Sequence, residues 1–304
     1  MEYSREIITD SPFSLTQSDS YSAWRNARLQ DAKNAQDSGF IQINDPGKLQ
    51  ESERAAIISS CKSTNIALYA LTGGRAETAL RTSLGAMAKS LGMGLAEGHR
   101  SAGNQGVVAL TVSDKSSQRG FIPYSRKAMN WHTDGYYNPP KTAIHGFILH
   151  CVQDATEGGH NQILDPAIAY IRLRDENPAY IGALMHPEAM TIPANTEANG
   201  AIRPASIGPV FSVDRQGNLI MRYTARTRSI AWRDDPDTQA GAEFLRNLLM
   251  ASDPLMREIK LQPGQGIINN NVLHNRTGFD PDETGNHSRR LIYRIRFHKR
   301  IAEE

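Results

Sequence analysis

The chain reads as a mainly β protein with helical decoration (α+β), folded as a double-sheet jelly-roll barrel. Three observations predict this. From Gly106 onward, short apolar or alternating runs recur at 107–112, 143–152, 162–164, 210–213, 219–223, 266–270 and 290–297, the length and pattern of strands. Turn formers separate them, as in Asp214-Arg215-Gln216-Gly217-Asn218. Only two helical inserts, 166–185 and 236–251, interrupt the series. Many short strands with helices to one side fit a jelly roll.

Taken in order, residues 1–20 are polar and irregular. Helical periodicity follows at 22–35, 51–61 and 75–91; in the last, Leu80, Leu84, Met87 and Leu91 share one face. Strands read at 40–43 and 66–71. Residues 1–105 are thus a mixed α/β N-terminal part, and 106–300 are the jelly-roll core. The first helical insert begins after Asp165-Pro166, a helix start signal. No repeat, low-complexity segment or linker divides the chain, so 1–304 is expected to be a single domain. The length suits a barrel with insertions.

Composition narrows the function. With 34 basic and 32 acidic residues the net charge is +2, giving no whole-molecule field for nucleic acid or anionic lipid. No basic tract with interleaved aromatics is present, so a nucleic-acid partner is not expected. Apolar runs are far short of a membrane span. Cys61 and Cys151 lie 90 positions apart, outside any CxxC, which makes a disulfide framework or zinc site unexpected and a reducing cytoplasm the default. No signal peptide is visible behind Met1-Glu2-Tyr3-Ser4-Arg5-Glu6. The expected partner is a small-molecule substrate; a homo-oligomer is left open.

The chemistry starts at Asn130-Trp131-His132-Thr133-Asp134-Gly135. An imidazole and a carboxylate two positions apart share one side of an extended segment and can grip one metal ion. A second imidazole would complete the two-histidine, one-carboxylate face of non-haem Fe(II) oxygenases, with three positions open. Of nine histidines, His274 stands out: a tight turn at Pro263-Gly264 enters a strand, and His274 follows where that strand ends. His150 and His160 are rivals without the spacing. Next comes 289–296, in which Arg290, Ile292, Arg294 and Arg296 share one face.

The order of Trp131-His132-Thr133-Asp134, then Gly158-Gly159-His160-Asn161, then 269–279, then Arg289-Arg290-Leu291-Ile292-Tyr293-Arg294 resembles the taurine dioxygenase superfamily, which includes clavaminate synthase-like enzymes. The resemblance covers roughly residues 105–300. It implies a double-stranded β-helix and a dioxygenase that depends on Fe(II), 2-oxoglutarate and O2. It also implies that His132, Asp134 and His274 hold Fe(II). Arg290, 16 positions after His274, would pair with the distal carboxylate of 2-oxoglutarate, to which a planar guanidinium offers a bidentate fork. Asn161 falls where the family usually has a threonine contacting that carboxylate. Arg294 matches an arginine that binds an anionic substrate group or flanks the cosubstrate, with pairing to a buried acid a third reading.

The implied reaction is hydroxylation of a small, anionic molecule with release of succinate and CO2. Desaturation or cyclisation on the same scaffold, or a metal-binding sensor without turnover, are the alternatives. Related halogenases lack the carboxylate that Asp134 supplies, so its presence argues against halogenation. Two further stretches are expected to border the pocket, 120–126 and 221–228. The second resembles the substrate-side segment of γ-butyrobetaine hydroxylase-like members, with Thr224 in place of an asparagine, and Tyr223 and Arg226 are its candidate substrate contacts. Asn130 and Asn270 are expected to support the ligands by hydrogen bonds. Arg289, Arg296, Lys299 and Arg300 read as a solvated basic face.

Overall fold

The computed structural model describes residues 11–301 apart from 17, 75, 99–105, 114–120, 197–199, 201, 227, 229 and 281–289. The chain is a mixed α/β protein. Its helices are α1 (Ser18–Gln36), α2 (Glu51–Thr64), α3 (Glu77–Ser90), α4 (Pro166–Glu176), α5 (Pro178–Leu184) and α6 (Pro236–Ala251). The first strands are β1 (Ile41–Ile43), β2 (Ile66–Leu71), β3 (Val108–Leu110), β4 (Met129–His132), β5 (Gly146–Gln153) and β6 (Asn161–Leu164). A central group follows: β7 (Met190–Ile192), β8 (Asn195–Thr196), β9 (Ile202–Arg203), β10 (Ser206–Gly208), β11 (Phe211–Val213), β12 (Leu219–Met221) and β13 (Ala231–Trp232). The last are β14 (Arg257–Ile259), β15 (Gln265–Asn269), β16 (Leu273–Arg276) and β17 (Leu291–Phe297).

Two sheets carry the structure. The larger has six strands in the order β1-β2-β15-β5-β17-β3, the smaller four in the order β14-β6-β16-β4. One buried cluster joins Leu149, Ile267 and Ile292 of the larger sheet to Ile163 and Ile259 of the smaller, so the sheets face each other. The outer face of the larger sheet packs Ala67, Ile148 and Ile295 on Ile57, Leu84 and Met87 of α2 and α3. The outer face of the smaller sheet, through Trp131, Leu164 and Leu273, meets Ile168, Ile181 and Leu245 of α4 to α6. Side-chain alternation along β5 and β17 divides their residues between the two faces.

The expected strands are present with shortened ends: the run at 107–112 pairs only over β3, and that at 219–223 stops at Met221. The insert at 166–185 is two helices, not one. Asn177 accepts from the Ala179 N–H at 3.0 Å and precedes Pro178, so it caps a new helix where proline cannot continue the old one. The N-terminal third is built into the main sheet, since β2 pairs with β15 from Ile66↔Asn269 to Ala70↔Gln265. Among the described residues no helix is long and apolar enough to cross a membrane.

Candidate metal centre and its two flanks

β16 pairs antiparallel with β4 so that His274 lies directly across from His132. Their rings sit 4.2 Å apart, centroid to centroid. Each is oriented by its own strand: His132 Nδ1 is 2.9 Å from the Asn130 carbonyl and His274 Nδ1 is 3.0 Å from that of Val272. Such a carbonyl accepts the Nδ1 proton and leaves the Nε2 lone pair for a metal. Asp134 follows β4 in a turn, its Oδ1 3.8 Å from His132 Nε2. Ligand atoms of all three residues lie within 4.8 Å of one another, and all three are buried.

Burial holds both imidazoles in the neutral form that binds metal. It pushes the His132 pKa down to about 3, helped by His274, and lowers that of His274. Burial alone would raise the Asp134 pKa, but the Arg294 and Arg296 guanidiniums hold it below the usual carboxylate range. Among the described residues, Asp134 Oδ2 is buried without a hydrogen-bond partner. Such an atom is costly unless something binds it, and a cation is the natural occupant.

The Asp134 turn is clamped by Asn271, which sequence reasoning missed. Asn271 Oδ1 accepts from the Asp134 N–H at 2.7 Å, and its Nδ2 donates to the carbonyls of Asp134 and Ile144 at 3.0 and 2.7 Å. Its own backbone is left-handed, φ 54°, which asparagine tolerates best among non-glycine residues. Asn130 and Asn270, expected to help through their side chains, do not. Asn130 contributes its carbonyl, and the Asn270 side chain meets Asn65 and the Ile301 N–H.

Arg294 reaches the centre from β17, with Nη1 3.2 Å from Asp134 Oδ1. Of its three readings, the buried-acid pairing is the contact present. Arg296, expected on a solvated face, instead points inward: it ion-pairs with Glu97 and donates to the Tyr137 hydroxyl at 2.9 Å. Arg300 is likewise engaged, donating to Asn65 Oδ1 at 2.9 Å. Lys299 is exposed as expected, and Arg289 lies outside the described residues.

On one flank, Arg290 and Asn161 line the same small pocket with Asp154, Gly158, Gly159 and Ile292. Arg290 lies 5.2 Å from the Phe279 ring centroid, and burial lowers its pKa. Among the described residues no carboxylate lies within ion-pair distance of it. The Gly158-Gly159 pair has a physical reason. Gly158 has φ +71°, and a Cβ there would meet the Gly278 carbonyl oxygen at 2.2 Å; one on Gly159 would crowd Arg290 Nε at 3.3 Å. Part of the 120–126 stretch borders this flank, since the Arg126 carbonyl accepts from the Phe279 N–H at 3.1 Å; Gly120 lies outside the described residues.

On the other flank, Tyr136 stands edge-on to His132, ring centroids 6.3 Å apart, and Tyr137 stands edge-on to Tyr136 at 5.2 Å. Thr224 bridges to His132 through the backbone. Arg226 is exposed, 5.9 Å from the Tyr136 centroid. Tyr223, an expected substrate contact, is corrected: its side chain is 2% exposed and belongs to the apolar cluster beneath the helices. Side chains alternate along extended backbone, so facing Thr224 to the site turns Tyr223 away.

Residues 71–295 match the family described as "Taurine catabolism dioxygenase TauD, TfdA family". A uridine-5'-phosphate dioxygenase from Amycolatopsis sp is 31% identical over 175 residues, covering 54% of this chain and 60% of that protein. A second protein of that name, from Streptomyces sp, is 28% identical over 181 residues, covering 58% and 64%. The matches thus span less than two thirds of these curated relatives. Among solved structures, asparagine oxygenase bound to Fe(II), 3-hydroxyasparagine and succinate superposes with a TM-score of 0.60 at 14% identity, covering 90% of this chain and 91% of that one. The non-haem iron oxygenase OrfP, bound to Fe, succinate and (3S)-hydroxy-L-Arg, does so with 0.60 at 16%, covering 90% and 92%. These two likenesses are of fold. The family match extends over well more than half of the chain, which therefore belongs to the TauD/TfdA family of taurine catabolism dioxygenases.

Proposed function

We propose that the chain is a single Fe(II)- and 2-oxoglutarate-dependent dioxygenase domain that hydroxylates a small anionic molecule. In this reading the two facing sheets form a double-stranded β-helix, or jelly roll, with the metal held between β4 and β16. His132 and His274 ligate through Nε2 and Asp134 through its carboxylate. The observation that carries the proposal is the convergence of three buried ligand atoms within 4.8 Å, one carboxylate oxygen lacking any partner. The donor set fits iron: two imidazoles and one carboxylate on one face leave the remaining positions free.

Bound iron and 2-oxoglutarate would supply the oxidative chemistry, consuming O2 and releasing succinate and CO2. The chain's own residues do the positioning. Arg290 offers its fork to the distal carboxylate of the cosubstrate, and Asn161 lines the same pocket with an amide that can donate. The carbonyls of Asn130 and Val272 fix the imidazole tautomers. Asn271 fixes the Asp134 backbone. Arg294 neutralises Asp134 when no metal does, and Arg226 marks the substrate side. The relatives' names make a phosphomonoester one candidate substrate class. The free, buried Cys61 and Cys151 support a reducing cytoplasmic setting.

Anaerobic titration of Fe(II) and 2-oxoglutarate into the protein tests this. A weak visible charge-transfer band is expected only when both are present, because it requires them on one centre. Its absence would overturn the assignment.

A further inference from the structure

Among the described residues, the flank around Tyr136 and Tyr137 carries more guanidiniums than carboxylates that pair with them. Arg226 lies 5.9 Å from the Tyr136 centroid and Arg203 lies 5.8 Å from that of Tyr137. The two rings are 5.2 Å apart, centroid to centroid, so the two arginines flank one tyrosine pair, of which Tyr136 is the ring beside His132. Neither forms an ion pair among the described residues. Among the described residues Arg203 donates to the carbonyls of Pro204 and Pro193, at 3.1 and 2.8 Å.

The neighbouring cations are already accounted for. Arg294 is matched by Asp134 and Arg296 by Glu97. Arg222 is half-buried, and its partners are carbonyls and the Ser206 hydroxyl, among them the Tyr136 carbonyl at 2.8 Å. It adds positive field while pinning the tyrosine segment. Among the described residues, the unpaired charge here is thus that of two exposed or half-exposed forks, backed by a third, half-buried guanidinium. One carboxylate can be satisfied by a single bidentate arginine. Two neighbouring forks fit an anion with two charges and three or more acceptor oxygens.

Resting on the dioxygenase reading above, we propose that Arg203 and Arg226, over the rings of Tyr137 and Tyr136, bind a phosphate-type dianion carried by the substrate. The tyrosine rings supply a flat apolar wall on which the rest of the molecule lies. Tyr136 stands between this subsite and His132, so the carbon presented for oxidation is close to the anionic group. Specificity follows from charge: a neutral analogue leaves both forks unmatched, and a monocarboxylate leaves one.

The test measures binding of inorganic phosphate and of acetate to the full chain by isothermal titration, with and without Fe(II) and 2-oxoglutarate. The cosubstrate fills the Arg290 pocket and removes it as a competing anion site. Phosphate is expected to bind one to one and about tenfold or more tighter than acetate. Arg226→Ala and Arg203→Ala should each weaken phosphate about tenfold while leaving 2-oxoglutarate affinity unchanged. Arg226→Lys, which keeps the charge and loses the fork, should fall between. Equal affinity for phosphate and acetate, no phosphate binding, or indifference to Arg226→Ala would each overturn the subsite. Because Arg226 is exposed, its replacement does not threaten folding. Loss of the charge-transfer band with phosphate binding intact would sink the dioxygenase reading and leave the subsite standing.

Discussion

Replacing Arg290 by alanine separates a cosubstrate anchor from a structural cation. Removing one partner of a charge-assisted pair costs about 2–5 kcal/mol, roughly 30-fold to several thousand-fold in affinity at 1.4 kcal/mol per tenfold. Two features place the effect at the lower end. Arg290 is half-buried rather than sealed. Arg276 is near enough that Arg290, after burial, lowers its pKa, and its guanidinium remains to attract the carboxylate. The expected result is a rise of about 30- to 100-fold in the 2-oxoglutarate KM, read from succinate formation, with kcat at saturating cosubstrate little changed. Stability gives the opposite sign from an ordinary ion-pair deletion. Among the described residues Arg290 has no carboxylate to lose, so the Tm of the metal-free variant should hold or rise. An unchanged KM, or a large fall in Tm, would refute the reasoning and assign the anchor to another arginine.

Asp134→Ala should abolish Fe(II)-dependent succinate formation, and because it strands the buried Arg294 it should also destabilise the metal-free protein by about 3 kcal/mol, seen in urea titration. Asn271→Ala removes three buried hydrogen bonds and leaves a left-handed backbone to alanine; a loss of roughly 2–4 kcal/mol and weaker Fe(II) binding are expected, the latter measured by competition with a chelator. Asp175 accepts from Arg25 and Tyr21 and ties α1 to α4; burial raises its pKa, but the Arg25 and Tyr21 hydrogen bonds lower it further, below its ordinary 3.8. A depressed folded pKa stabilises fully above that ordinary value and is lost as pH falls through the folded one. Thermal melts should therefore weaken below about pH 4, and Asp175→Asn should flatten that part of the profile.

The three clustered candidate ligands were legible because their geometry is local or carried by motif. His132 and Asp134 are two positions apart, and His274 ends a strand that a turn announces. Arg290 and Asn161 were named from sequence order, and the fold brings them to one pocket. What failed was phase and distance. Tyr223 was named from the likeness of 221–228 to a substrate-side segment, but β12 ends at Met221, Thr224 bridges to His132, and the Tyr223 side chain turns into the apolar cluster. Arg296 looked like part of a surface cluster because its chain neighbours are basic. Its partner Glu97 comes from the far side of the sequence. Asn271 is one of three consecutive asparagines, and only the tertiary approach of Asp134, 137 positions away, distinguishes it from Asn269 and Asn270. Tyr136 and Tyr137 carried no periodic signal, since they lie in a turn.

The direct pairing of His132 with His274 has a consequence for how the site comes into being. These residues are 142 positions apart (274 − 132), yet they are register partners, and β2 waits for β15 across nearly 200 positions (265 − 70 = 195). Closing loops of this length precedes any reward from the contacts they make, which slows folding of non-local sheets. On the ribosome, one histidine of the facing pair therefore emerges long before its counterpart exists. A nascent chain released before β16 has been made has two of the three candidate ligands and no cluster, so any competence for metal would be acquired late and all at once.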